Sequence, residues 1–224
     1  MNPLYAILNI FIDPAEAAKQ MDGKFAWVPP VVLQSVSAII VGMMMTPIAI
    51  QVMRSNPPGN LSGEGLQRTL DMMETMSKAQ FVVAPLMVVA MIALVALVLF
   101  AASSVMDAKA SFGRLFTFVA HAGLVLTVSQ IATMIVLKFK GEISSVKELT
   151  PSFGPDMFLS EGASGLLIGI CKFFSLFNLW YFVVLVIGLA ALLNIPKGKA
   201  LGVASPVIFL TFIFVVAGAM FNNR

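Results

Sequence analysis

The residues that could carry chemistry in this chain are few and scattered. His121 is the only histidine and Cys171 the only cysteine among 224 residues. A lone histidine cannot supply the two imidazoles of HExxH, which excludes a zinc-dependent intramembrane protease. A serine hydrolase needs a serine held beside a histidine base, and GxSxG is absent. The P-loop GxxxxGK[ST] is absent too, which argues against an ATP-driven pump. One cysteine makes no intramolecular disulfide and no Cys-based zinc or iron–sulfur motif. Cys171 sits in an apolar run and reads as a small hydrophobe. The residue inventory therefore predicts no catalytic residue, no cofactor and no metal site: not an enzyme.

His121 needs a separate account, because it falls inside a long apolar stretch. An ionisable residue there is a functional candidate by default. A proton relay needs acidic partners, and the apolar stretches hold none. At 100° per residue, Thr117, His121, Ser129 and Thr133 share an arc of roughly 160°. The expectation is a polar helix–helix contact, with neutral His121 hydrogen-bonded to a neighbour. Gln34, Ser35 and Ser37 are the candidate partners.

The elements that must position these residues follow from composition. Apolar residues make up 59% of the chain and charged ones 11%. Soluble domains carry about 25% charge. So much apolar surface needs a bilayer as its solvent. The net charge of +3 comes from Lys and Arg scattered singly, with no stripe for nucleic acid. The N-terminus lacks a basic n-region, and Asp13, Glu16 and Asp22 crowd any cleavage site, so no signal peptide is read there.

A spanning helix needs about 20 apolar residues. Five stretches qualify: about 31–52, 81–105, 115–137, 172–193 and 201–221. The fold class is all-α, a polytopic single membrane domain over 1–224. β-barrel strands would alternate, and these stretches do not. Pro47, Pro85 and Pro206 fall within spans; Pro85 and Pro206 suit first turns, where proline costs little. Trp27 and Trp180 read as headgroup anchors. Residues 1–30 form an N-terminal interfacial segment. LYAILNIFI is too short to cross, and Asp13-Pro14-Ala15-Glu16 reads as a capped helix start. Two short helices on the membrane surface before Pro29-Pro30 are expected. After the loop SNPPGNLSGEG, Leu66, Leu70, Met73 and Met76 recur at helical spacing, as in another interfacial helix or an extension of the second span. Gly165 and Gly169 form GxxxG, a close-packing pattern. Residues 164–174 either extend the fourth span or lie flat.

Orientation rests on loop cations. A raw count puts six on the inside against eight outside if the N-terminus is cytoplasmic. The tight connections DAKASFGR and NIPKGKA each hold two cations in few residues, which favours that same orientation. A coupled transporter would show intramembrane carboxylates and an inverted repeat. Five spans do not halve, and no filter-like segment marks a pore.

Three stretches carry a resemblance to a known family. FIDPAEAAKQMDGKFAWVPP, with Asp13, Pro14, Trp27 and Pro30, is similar to the approach to the first span in the Yip family of Ypt/Rab-interacting membrane proteins. SFGRLFTFVAHAGLVLTVSQI, with His121, is similar to that family's third span. FSLFNLWYFVVLVIGLAALLNIPKGKAL, with Trp180, resembles its aromatic fourth span and basic exit. Ser175 stands near where members often carry Asp. The resemblance, to the bacterial form, implies a five-helix bundle with a cytoplasmic N-terminus and no catalysis or cofactor. Eukaryotic relatives bind Rab-type GTPases and each other; this chain lacks their long polar N-terminal region. Some bacterial relatives are accessories of MacB-type ABC exporters. The expected partners are membrane lipids, other membrane proteins such as an ABC exporter, or a second copy, and the expected place is the bacterial cytoplasmic membrane. A small channel or carrier for a lipid or other apolar solute is the alternative.

Overall fold

Hydrocarbon offers the backbone no water, so a segment inside it must bond to itself. The computed structural model describes residues 3–21, 23–57, 62–140, 143, 146–149, 151–160 and 162–222, and there the chain forms helices and turns without a strand. Asp22, the centre of the SNPPGNLSGEG loop, parts of the 138–172 connection and Arg224 lie outside the described residues.

The first two helices are α1 (Pro3–Ile12) and α2 (Pro14–Gln20). Asp13 caps α2, its Oδ1 accepting from the Glu16 amide at 3.0 Å, with Pro14 in the first turn. The reciprocal half of a capping box is not made, because Glu16 Oε1 accepts from Gln20 Nε2 at 2.6 Å. Both helices are docked onto the bundle, which goes beyond the surface position expected for them. α2 packs against α8 (Leu176–Leu193), with Ala17 and Ala18 buried. Phe11 lies 5.6 Å from Trp180 between ring centroids. Trp180 is about 20 Å along α8 from its Leu193 end. Small alanines let α2 approach closely, and the apolar α1 gains by covering the bundle.

Five helical segments are long and apolar enough to cross a bilayer. They are α3 (Val28–Ser55), α4 (Gly63–Val105), the pair α5 (Phe112–Ala122) and α6 (Leu124–Lys140), α8, and α9 (Lys197–Asn222). Their outward side chains stay apolar: Val82, Leu86, Phe209 and Phe214 are 62–73% exposed. Apolar surface of this extent belongs against lipid or a partner helix rather than water. α8 is the innermost span and α3 the outermost, with 44% of the apolar window buried in one and 6% in the other. Leu99, Leu115, Phe118, Val184, Leu185, Leu189 and Val203 are fully buried where α4, α5, α8 and α9 meet. Gly188 makes this possible, since a Cβ there would lie 2.2 Å from the Phe118 ring.

Several sequence expectations change. α4 is one continuous helix of 43 residues, so residues 63–80 extend the second span and are not a separate interfacial helix. At 1.5 Å per residue it is about 65 Å long, twice a hydrocarbon core. On this extension Leu70 is buried and Leu66 and Met73 half-buried, while Met76 turns outward. Ion pairs Arg68–Glu64 and Lys78–Glu74 line its outer side, and Lys78 holds the Glu74 carboxyl below its ordinary value. Pro85 and Pro206 lie inside helices rather than in first turns, because α4 and α9 begin well before them.

The fourth span also departs from 172–193. It begins at Leu176, and residues 165–173 form a separate helix, α7 (Gly165–Phe173). α7 packs along α9, with Gly169 near Val216 and Phe173 edge-on to Phe212 at 5.2 Å. It therefore neither extends α8 nor lies free on the surface. A Cβ on Gly169 would stand 2.7 Å from Val216 Cα, a backbone atom that cannot swing aside. Gly169→Ala is expected to destabilise the bundle by about 1–3 kcal/mol. Gly218→Ala, where a Cβ meets nothing within 4 Å, is expected to leave the melting temperature in detergent unchanged, and equal shifts for the two would contradict this packing.

Candidate functional site

The polar residues of the spans converge where α3 crosses the α5–α6 junction. His121 is 1% exposed, and its Nδ1 lies 2.9 Å from the Thr117 carbonyl oxygen. A carbonyl only accepts, so Nδ1 carries the proton in this contact. Thr117 in turn donates from Oγ1 to Gly113 O at 3.0 Å. These bonds stay inside α5. Ser129 and Thr133, placed on the same arc by the sequence, are only half-buried. Gly123, between α5 and α6, keeps right-handed helical geometry with bonds to Val119 O and from Thr127 N, so the wheel carries on through it.

Gln34 reaches this junction from α3, but its bond is not to His121. Its Nε2 donates to Ala120 O at 2.7 Å. Gly123 makes the room, because a Cβ there would lie 2.8 Å from Gln34 Oε1. Ser35 is buried, and Ser37 Oγ is buried without a partner. A second glutamine repeats the arrangement. Gln80 Nε2 on α4 donates to Ala38 O on α3 at 3.0 Å, and its side chain lies over Gly42. Sequence reasoning missed Gln80 because it stands just before an apolar run. The available signal was a glutamine near one span and a glycine within the facing one.

The α7–α8 break is a third polar cluster. Ser175 caps α8, its Oγ accepting from the Asn178 amide at 3.4 Å. Ser is among the strongest helix N-caps, as Asp is. Asn178 Nδ2 donates to Lys172 O and Phe173 O, both at 3.3 Å, and so satisfies carbonyls freed at the end of α7. Leu176 N donates to Phe153 O, and Phe153 meets Phe177 edge-on at 5.1 Å. The long connection is thereby tied to the break.

The remaining candidates have structural surroundings. Asp13 and Pro14 start α2. Pro30 is buried in the first turn of α3. Gly165 opens α7, and Gly169 faces α9. Trp27 stands edge-on to Phe116 at 5.8 Å and, with Lys24, Phe112 and Arg114, walls an open cavity of about 480 Å³ at one end of the bundle. Trp180 packs on Phe11 within the bundle.

The glutamine bonds generate a test. Each amide–carbonyl bond within a membrane bundle contributes about 0.6 kcal/mol, up to 1.7. Gln34→Leu and Gln80→Leu are each expected to lower unfolding free energy in mixed micelles by about 1 kcal/mol. Both loosen α3, so protease sensitivity should rise first near Ser55. Unchanged stability in both variants would contradict the assignment.

Three loose likenesses in sequence and a five-span bundle would still leave the family open; a match along nearly the whole length closes it. No curated protein and no solved structure matches the chain. The family model of the Yip1 domain matches residues 8–219, from α1 through nearly all of α9, and the chain belongs to the Yip1 domain family.

Proposed function

We propose that this chain is a non-enzymatic scaffold or accessory subunit of a bacterial cytoplasmic-membrane assembly, with its N-terminus in the cytoplasm. The observation that carries this reading is how three polar side chains packed inside the bundle are engaged. His121, Gln34 and Gln80 all bond to helix carbonyls. Gln34 and Gln80 hold α3 to its neighbours and His121 is bonded within α5, which suits a rigid binding surface better than a reaction centre.

The partner in this reading is another membrane protein, such as an exporter of the MacB type that some bacterial relatives accompany. α3 offers it a long face, with Val36, Ile40, Met43 and Met44 exposed. A second reading is a carrier for a lipid or other apolar solute. It is favoured by an apolar groove of about 270 Å³ between α3 and α6, lined by Leu33, Val36, Ile40, Met44, Ile131 and Ile135 among others.

Crosslinking in native membranes followed by mild-detergent purification separates the readings. The scaffold reading expects a defined membrane-protein partner in the crosslinked product. Recovery of the chain alone under every condition counts against it. Lipid flux in liposomes that His121→Ala abolishes would favour the carrier instead.

A further inference from the structure

Two cations and three aromatic rings meet at the end of the bundle where α3 and α5 begin. The turn from Met21 to Trp27 and the first turns of α5 enclose the open cavity of about 480 Å³, within the roughly 300–1,000 Å³ of small-molecule sites. Lys24 comes to it from the turn and Arg114 from α5, while Trp27, Phe112 and Phe116 supply apolar wall. Among the described residues that line it there is no carboxylate. The Lys24 ammonium stands over the Phe25 ring at 5.6 Å and forms no ion pair with a described residue. The amides of Phe112 and Gly113 open α5 without a hydrogen bond to a described residue, so the positive end of that helix adds to the two side chains. A Cβ on Gly113 would meet nothing within 4 Å, which leaves the space open down to the helix backbone.

We propose that this cavity holds the phosphate of an anionic phospholipid, with Lys24 and Arg114 as its counter-charges. Its place in the fold selects the ligand. The spanning helices α3 and α5 begin beside it, and Lys199 Nζ, donating to Asp107 O at 3.0 Å, joins the two other connections at the same end. Trp27 has the amphipathic ring that suits the headgroup layer. Headgroups stand at this level whichever way the chain faces the membrane. Basic pockets between spanning helices take anionic headgroups in this way. A zwitterionic headgroup brings its own cation to Lys24 and Arg114, so the cavity should prefer a lipid of net negative charge. The site would serve a scaffold or a carrier alike.

Native mass spectrometry of the full-length chain, released from micelles titrated with phosphatidylglycerol or phosphatidylcholine, tests this. The wild type is expected to retain phosphatidylglycerol more tightly. Lys24→Gln is expected to weaken that binding about fivefold, and Lys24→Gln with Arg114→Gln about thirtyfold, with phosphatidylcholine retention unchanged. Lys24 is exposed, so Lys24→Gln should leave the melting temperature in detergent unchanged, which separates lost binding from lost folding. Lys109→Gln with Lys197→Gln removes equal charge at the same end, outside the cavity, and should leave binding unchanged. Equal retention of the two lipids by the wild type overturns the proposal. So does a Lys24→Gln variant that binds phosphatidylglycerol as wild type does, or an equal loss in the Lys109 and Lys197 control. Displacement of the lipid by inorganic phosphate would give the cavity to a soluble anion and overturn it as well.

Discussion

A helix carbonyl keeps one lone pair after making its own helical bond, and in hydrocarbon that lone pair is an acceptor a buried side chain can reach without unwinding anything. Much of this bundle depends on that constraint. Gln34 takes Ala120, Gln80 takes Ala38, His121 takes Thr117 and Asn178 takes the last carbonyls of α7. Association of apolar helices in lipid lacks the hydrophobic drive available in water. A few amide bonds and close approaches at glycine therefore decide which helices meet. Gly42 and Gly123 sit under the two glutamines, and Gly169 and Gly188 bring α7 to α9 and α5 to α8.

The same constraint explains where the helices break. Ending a helix in an apolar setting frees carbonyls and amides that must find partners. At Ser175 they do so locally: the hydroxyl caps α8, Asn178 reaches back to α7, and Phe153 supplies a carbonyl from the long connection. At Gly123 the interruption is milder, and its amide still donates to Val119 O at 2.9 Å. Breaks of this kind let short helices turn to pack on different neighbours. α7 follows α9 while α8 runs to the other end through the core.

Much of this architecture was legible in the sequence, because span length and freedom from charge follow from the cost of moving ions into hydrocarbon. The five crossings, the Asp13 cap and the family likeness in the first, third and fourth spans were all open to that reading. What escaped it depends on which helices face each other. Gln80 and Gly42 become a pair only once α3 and α4 are antiparallel and in register. The docking of α1 and α2 on α8 depends on Ala17 and Ala18, and alanine on a short helix carries no signal of direction. Pro85 looked like a first-turn proline because charges precede Phe81, yet the helix runs through those charges to Gly63. The arc through His121 continues past Gly123, but Ser129 and Thr133 at its far end are only partly covered, because burial depends on which helix packs beside them.

The whole arrangement rests on alternate crossing of a bilayer by α3, α4, α5–α6, α8 and α9. Single cysteines in a Cys171→Ser background, labelled with a membrane-impermeant maleimide in sealed vesicles, test it most directly. Replacements at Lys24, Lys109 and Lys197 should react from one face, and those at Ser62 and Ser160 from the other. Two flanking sites of any one span reacting from the same face would contradict it.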